Sequence, residues 1–243
     1  MDESIYYKRT MIKEQLSSAY LPEPRSLRIV LPPGYNELLS YPVIYCQDGE
    51  DFINFGRIAT QLTRLVLDEG LEPAILVAVD VDKKVRTDEY APEGSRFEAY
   101  CRFFAEELIP HIESRYPARP QPDARILAGD SLGGTVSLHL ALDYPQLSTR
   151  VISLSGALLT STQERLQREE RDLAWLDLYM LIGLDEEQVE TTRGVFDFLQ
   201  ANRDTLKLLH TRNAKVTYVE KPGKHLWGFW QTELPYALHH VLG

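Results

Sequence analysis

The chain has 243 residues, of which 44% are hydrophobic, and this suits one α/β domain with a sizeable core. Its formal net charge is −10 with no cluster of basic residues, which argues against nucleic acid as a partner. No segment approaches the roughly 18 uninterrupted apolar residues of a membrane-spanning helix, so no membrane association is predicted.

The N-terminus and the cysteines together predict a cytoplasmic protein. Residues 1–9 are charged and lack an apolar core, so they do not form a signal peptide. Cys46 and Cys101 fall in apolar contexts and are interpreted as small buried residues with free thiols.

Short apolar runs alternate with longer helix-like segments along the chain, a pattern typical of a mostly parallel sheet with helices on both faces. The residues up to about Leu31 are expected to form an antiparallel hairpin at the edge of the sheet. Strands are predicted at residues 27–31, 43–46, 74–79, 124–128, 151–154, 175–182 and 215–219. Helices are predicted at residues 58–67, 96–115, 134–142, 163–173, 192–210 and 226–240. The charged region 158–173 is a candidate small lid, with a solvated helix face as the alternative.

The stretch GDSLG at residues 129–133, between a predicted strand and a predicted helix, indicates a nucleophile elbow. In such a turn Ser131 adopts a strained backbone conformation, and the residues two positions away on either side must lack a Cβ atom. The helix that follows directs its N–H groups at the place where negative charge develops. The alternative is a plain glycine-rich turn between a strand and a helix.

His225 is the candidate base that would accept the serine proton. It lies on a turn directly after the last predicted strand, at that strand's carboxyl end, where sites in open α/β sheets are found. An imidazole is suited to this role because it titrates near neutral pH. The other five histidines lie inside or at the ends of predicted helices.

The acid that orients the base should follow the preceding strand, because nucleophile, acid and base occur in that order in this architecture. The strand at residues 175–182 leads into the acidic run 185–187. Glu186 is the first choice and Asp185 the second. Capping of the next helix is the structural alternative for this run.

An oxyanion hole needs two backbone N–H donors. Leu132, directly after the serine, is expected to supply one of them. The loop after the early strand 43–46 contains Gly49, and the N–H of Glu50 is the candidate second donor. An ordinary Asp-Gly turn explains that loop equally well.

With these residues assembled, the chain resembles the putative esterase family of α/β-hydrolases, which includes enterochelin-esterase-like proteins, esterase D-like proteins and mycolyltransferases. The resemblance extends from about Leu27 to His240 and rests on six motifs: YCQDG at 45–49, VAVD at 77–80, RTDEYAP at 86–92, FAEELIP at 104–110, AGDSLGG at 128–134 and GKHLWGFW at 223–230. It implies a serine hydrolase with Ser131 as nucleophile and His225 as base, and it supports Leu132 and Glu50 as oxyanion donors.

The chain departs from the family pattern at two places. Leu226 stands where the family often has Asp after the Gly-His pair, and Asp185-Glu186 fill the usual position of one clear acidic residue. A Ser–His dyad without an acid therefore stays open.

The resemblance places the loop after strand 74–79 beside the active site, which makes Arg86, Glu89 and Tyr90 candidate substrate-binding residues. Arg86 is suited to an anionic or hydroxyl-rich part of a substrate. An Arg86–Glu89 pair that stiffens the loop is the alternative. Trp227 is a candidate wall of the substrate pocket, whereas Trp230 is expected in the core.

The sequence as a whole predicts one α/β-hydrolase domain over residues 1–243 with a small or absent cap. The predicted function is a serine esterase that hydrolyses small carboxylic esters through a Ser-His-acid triad and an acyl-enzyme. The alternatives are an acyltransferase with the same triad and a non-catalytic binding protein on this fold. No cofactor or metal is implied, since no cluster of His, Cys and carboxylate residues has ligand spacing. A homodimer is considered but has no support from a particular residue.

Overall fold

The structure is a computed structural model that describes residues 9–243. The expectation that residues 1–9 do not form a signal peptide falls on residues of which 1–8 lie outside the described part. The central feature is an eight-stranded sheet with the strand order β1-β2-β4-β3-β5-β6-β7-β10. Its strands are β1 (Thr10–Leu16), β2 (Arg25–Leu31), β3 (Val43–Cys46), β4 (Ile75–Val79), β5 (Arg125–Asp130), β6 (Arg150–Leu154), β7 (Asp177–Gly183) and β10 (Lys215–Lys221).

Strand directions divide the sheet into an antiparallel edge and a parallel body. β1 pairs antiparallel with β2, and β2 pairs antiparallel with β4. All pairs from β4 to β10 are parallel. The predicted edge hairpin and mostly parallel sheet are thus confirmed. Two further short strands, β8 (Val189–Thr191) and β9 (Gly194–Phe196), form a separate hairpin.

Helices cover both faces of the sheet. The α-helices are α1 (Gly49–Asn54), α2 (Ile58–Glu69), α3 (Arg86–Tyr90), α4 (Phe97–Arg102), α5 (Ile109–Arg115), α6 (Leu132–Asp143), α7 (Thr160–Gln167), α8 (Phe198–His210) and α9 (Trp227–Leu242). Because successive side chains of a strand point to opposite faces, Tyr45 of β3 belongs to one apolar cluster and Ile44 to the other. Val136 of α6 lies in the first cluster and Leu234 of α9 in the second.

The structure corrects three predicted helices. The predicted helix 96–115 begins at Phe97, and within it Phe103–Leu108 forms a π-helix directly before the turn that contains Pro110, which has no N–H to donate. The helix predicted at 163–173 ends at Gln167. The helix predicted at 192–210 begins only at Phe198, because residues 189–196 form the β8–β9 hairpin.

Two composition-based expectations can be compared with the described residues. Cys46 and Cys101 are both free and buried, as predicted. Among residues 9–243, no helix is both long enough and apolar enough to cross a membrane.

His139 of α6 is a buried histidine whose protonation opposes folding. Its Nε2 lies 3.0 Å from the Thr162 hydroxyl oxygen, and its ring packs edge-on against Phe97. Burial lowers the pKa of His139 from about 6.5 to about 4. Between these values the unfolded chain binds more protons than the folded chain, so stability falls as the pH falls through this window.

We therefore predict that wild type loses about 2–3 kcal/mol of unfolding free energy through His139 between pH 7 and pH 4.5. Urea unfolding at both pH values should show a smaller loss for His139→Gln than for wild type. His210→Gln, which changes an exposed histidine at the end of α8, is the control and should keep the wild-type loss. Equal losses in wild type and His139→Gln would contradict the prediction.

Candidate active site

Ser131 lies on a strained turn between β5 and α6. Its backbone has φ 53° and ψ −123°, a conformation that residues with a Cβ rarely adopt. A Cβ on Gly129 would lie 2.1 Å from the carbonyl carbon of Gly133, and one on Gly133 would lie 3.1 Å from the Cβ of Gln47. The turn therefore has the geometry of a nucleophile elbow, and the two glycines allow it to form.

His225 is held by Glu186, which follows β7, as the order of elements along the chain predicts. The imidazole Nδ1 lies 2.7 Å from Oε2 of Glu186, whose carboxylate is fully buried, whereas the histidine side chain is 16% exposed. Asp185, the other acidic candidate, is exposed, and its backbone N–H donates to the carbonyl oxygen of Gly223. The structure thus brings Glu186 rather than Asp185 to the base.

The Glu186 carboxylate has further partners on its other oxygen. Oε1 accepts hydrogen bonds from the Ser155 hydroxyl at 2.6 Å and from the Gly183 backbone N–H at 2.9 Å. The backbone carbonyl of Glu186 accepts from the N–H of Phe198, the first residue of α8. These bonds hold both the side chain and the backbone of the acid in place.

Aromatic rings enclose the base. The His225 ring packs against Phe198 with a centroid separation of 4.6 Å and edge-on against Trp230 at 4.9 Å. Trp230 is buried, as predicted, and its indole N–H donates to the Ser155 hydroxyl at 2.8 Å. Sequence reasoning missed Ser155 and Phe198. Ser155 directly follows β6, and this position at the carboxyl end of a parallel strand is a signal that could have identified it.

A cavity of about 210 Å³ opens beside Ser131. Apolar side chains form one part of its wall, and Arg86 and Arg193 form another; the apolar residues are Leu132, Ala157, Leu159, Phe196 and Phe198. Because Phe198 contacts both this cavity and His225, the serine and the base share one region of the protein. The β8–β9 hairpin contributes Arg193 and Phe196 to the wall, and Leu159 is the lining residue that comes from the candidate lid region 158–173.

A larger and more open cavity of about 780 Å³ lies between α2 and α9. It is lined by Arg57, Gln61, Arg64 and Gln231 among others, and none of the predicted site residues reaches it. The smaller cavity beside Ser131 is therefore the candidate substrate site.

The two predicted oxyanion donors have different surroundings. Leu132 opens α6, and the first N–H groups of a helix have no partner within the helix. Glu50 lies in the first turn of α1, and its exposed side chain pairs with Arg28 at 3.2 Å. Burial raises the pKa of the Asp80 carboxyl, whereas hydrogen bonds from Arg28 and from the Glu50 backbone N–H lower it.

Arg86 lines the cavity but pairs with Asp48, so the predicted Arg86–Glu89 pair is wrong. Its Nε and Nη2 donate to the two Asp48 carboxylate oxygens at 2.6 and 2.8 Å, and Nη2 also lies 3.3 Å from the backbone carbonyl oxygen of Asp130. Burial lowers the pKa of Arg86, but the Asp48 carboxylate more than offsets this and raises it. The guanidinium thereby links the loop after β3 to the residue that precedes Ser131.

Asp130 is a buried carboxyl group one residue before the serine. Burial, and next the nearby Asp48 carboxylate, raise the pKa of Asp130 to about 7, although Arg86 and Lys83 lower it. The turn that carries Ser131 therefore contains a group that titrates near neutral pH.

The structure corrects the assignment of Glu89 and Tyr90 to substrate binding. Both are buried away from the cavity. Glu89 accepts two hydrogen bonds from Arg25, at 2.8 and 2.9 Å, and the Tyr90 hydroxyl accepts one from the Asp48 backbone N–H. Their role is to brace the loops after β3 and β4.

Trp227 lies outside the cavity that contains Ser131. It packs edge-on against Phe52 of α1 and against Trp230, with centroid separations of 4.9 and 5.4 Å. Trp227 therefore does not line this cavity, and its role in substrate binding stays a prediction. Across residues 9–243, no group of three or more His, Cys, Asp or Glu residues is arranged to hold a metal ion.

Comparison with known proteins shows that the chain belongs to an esterase family. The family model described as "Putative esterase" matches residues 18–241. The protein YjcH of Bacillus subtilis (strain 168) is 36% identical over 235 residues, which cover 96% of this chain and 98% of YjcH. An acetyl esterase of Caldicellulosiruptor saccharolyticus is 26% identical over 167 residues, covering 58% of this chain and 63% of the relative.

Solved structures show the same fold. The enterobactin esterase FES from Shigella flexneri superposes with a TM-score of 0.82 at 21% sequence identity, over 96% of this chain and 59% of that protein. The chain thus spans about three fifths of that relative's length. The expected α/β-hydrolase fold is confirmed.

Gly183 offers a direct test of the acid's position. An added Cβ would lie 2.7 Å from Oε1 of Glu186 and 2.3 Å from the carbonyl oxygen of Gly223, so it would push the acid and the His225 turn apart. We predict that Gly183→Ala lowers kcat for a p-nitrophenyl ester at least about tenfold.

The matched control is Gly34→Ala, where a Cβ would meet no atom within 4 Å but φ is +68°. That variant should lose some stability and keep its kcat. Circular dichroism checks that both variants fold. A folded Gly183→Ala protein with wild-type kcat would show that the acid does not need this position.

Proposed function

Because the chain belongs to the putative esterase family and is a carboxylic ester hydrolase, we propose that it is a single-domain serine esterase that cleaves small esters through an acyl-enzyme. The observation that carries the proposal is the contact of His225 with the buried Glu186 carboxylate, and the strained turn of Ser131 supports it. The single sheet from β1 to β10 supports one domain.

The contact with Glu186 determines which nitrogen of His225 acts as the base. A buried carboxylate accepts a hydrogen bond, so Nδ1 carries the proton and Nε2 is left as the acceptor. In the first step Ser131 Oγ attacks the ester carbonyl carbon while Nε2 takes the hydroxyl proton. Glu186 stabilises the imidazolium that forms and keeps its orientation.

Backbone N–H groups stabilise the oxyanion that forms on the ester carbonyl oxygen. The N–H of Leu132 and the N-terminus of α6 favour negative charge beside Ser131. We propose the Glu50 N–H as the second donor.

The tetrahedral intermediate then collapses. The imidazolium returns its proton to the alcohol oxygen as the C–O bond breaks, which leaves the acyl group on Ser131. A water molecule attacks the acyl carbon while Nε2 of His225 takes its proton. Collapse of this second intermediate releases the carboxylic acid and returns the proton to Ser131 Oγ.

The cavity beside Ser131 supports a small acyl group. Its volume of about 210 Å³ is below the roughly 300–1,000 Å³ of drug-sized ligand pockets, and part of its wall is apolar. The related acetyl esterase has a small acyl group in its name, and the related FES is an enterobactin esterase. Acylated sugars and siderophore-type lactones are therefore the ester classes to assay first.

Labelling with a fluorophosphonate, followed by intact-protein mass measurement, tests the proposed machinery. Wild type should take up one label, Ser131→Ala none, and His225→Ala and Glu186→Gln should react at least about tenfold more slowly. Asp185→Asn is the matched control for the acid and should react like wild type, because Asp185 is exposed.

Two results would contradict the proposal. Unlabelled wild-type protein would mean that Ser131 is not activated. Slow labelling of Asp185→Asn with normal labelling of Glu186→Gln would assign the acid to the other carboxylate. Adding an alcohol acceptor during ester turnover separates hydrolysis from acyl transfer, and the proposal predicts free acid as the main product.

A further inference from the structure

We propose that Ser155 and Trp230 are positioning residues of the esterase reaction, which together hold the Glu186 carboxylate in the orientation that His225 requires. This inference rests on the proposed function of Ser131, His225 and Glu186. Neither residue touches the reacting atoms in the proposed mechanism, so each acts through the acid and the base.

Four groups form one continuous chain of hydrogen bonds. The Trp230 indole N–H donates to Ser155 Oγ at 2.8 Å, Ser155 Oγ donates to Glu186 Oε1 at 2.6 Å, and Glu186 Oε2 lies 2.7 Å from His225 Nδ1. Ser155, Trp230 and Glu186 are all buried. In such surroundings a broken link would leave a polar group without a partner, so the chain favours one arrangement.

The direction of the Ser155 hydroxyl proton follows from its neighbours. An indole nitrogen can only donate, so Ser155 Oγ must be the acceptor in its bond with Trp230. The single hydroxyl proton is then free to point at Glu186 Oε1. Trp230 thus determines how Ser155 presents its proton to the acid.

The backbone conformation of Ser155 indicates that its hydroxyl group has a specific role. Its φ is +47°, in the left-handed region that favours glycine over residues with a Cβ. Its N–H donates to the Leu181 carbonyl oxygen at 2.7 Å, which fixes the position of the turn beside β7. A serine in this conformation is explained by the bond that its side chain makes with Glu186.

Trp230 also contacts the base directly. Its ring packs edge-on against the His225 imidazole at 4.9 Å between centroids, while Phe198 packs against the imidazole at 4.6 Å. The same side chain therefore limits rotation of the imidazole and, through Ser155, rotation of the carboxylate. Loss of its N–H should disturb both members of the pair.

Two substitutions separate positioning from folding. Ser155→Gly removes the hydroxyl but fits the left-handed backbone better than serine does, so the variant should fold well. Trp230→Phe removes the N–H and keeps an aromatic ring. We expect each to lower kcat for a p-nitrophenyl ester about tenfold or more, with KM changed less than about twofold. The double variant should lose little more than either single variant, because both break the same chain.

Matched controls exist elsewhere in the chain. Asn213→Gly replaces another residue with a positive φ, +62°, at an exposed turn away from the cavity. Trp175→Phe changes a tryptophan that packs against the apolar cluster opposite to that of Trp230. Both controls should keep the wild-type kcat.

A spectroscopic readout completes the test. Wild type should give a downfield proton resonance for His225 Nδ1–H, absent in His225→Ala, and this resonance should shift or broaden in Ser155→Gly and Trp230→Phe. Variants that keep the wild-type kcat and resonance, in protein whose Ser131 reacts with a fluorophosphonate, would overturn the positioning role and leave the proposed function intact. If wild-type protein did not react with the fluorophosphonate, the proposed function would be overturned, and the positioning role of Ser155 and Trp230 with it.

Discussion

The site depends on the hydrogen bonds that the buried carboxylate of Glu186 accepts. A charge removed from water is costly unless hydrogen bonds replace its hydration, and this carboxylate has three partners in Ser155, Gly183 and His225. Each partner follows or ends a different strand of the parallel sheet. The hydrogen bonds to this one carboxylate therefore connect the carboxyl ends of β6, β7 and β10, on the same side of the sheet as the turn that carries the serine.

A second group of charges supports the loops around the serine. The Asp48 carboxylate accepts hydrogen bonds from the Arg86 guanidinium, and the Asp48 backbone N–H donates to the hydroxyl of Tyr90. Arg25 pairs with the buried Glu89. These bonds join the ends of β3 and β4 to the turn before Ser131. Because the Arg86 charge is compensated by Asp48, this arginine contributes shape and hydrogen-bond donors to the cavity more than a free positive charge.

The sequence predicts the parts of the site that depend on chain order and short motifs. Ser131 follows from its strand–turn–helix context, and Glu186 and His225 follow from their positions after successive strands. The sequence does not reveal the buried position of Glu89, because its partner Arg25 lies 64 residues away and no local pattern indicates a buried pair of that kind. The predicted helix 192–210 wrongly includes residues 192–196 of the β8–β9 hairpin, because the strands of this hairpin are only three residues each, too short for an alternating pattern to stand out.

Direct detection of the covalent intermediate tests the central claim most closely. Wild-type protein mixed with p-nitrophenyl acetate would be quenched in acid within the first turnover and digested, and the mass of the peptide that contains Ser131 would be measured. The proposed mechanism predicts an acetyl group on Ser131 that disappears as turnover ends, with no modification of other residues. Ester hydrolysis without an acyl adduct, or with the adduct on another side chain, would contradict it.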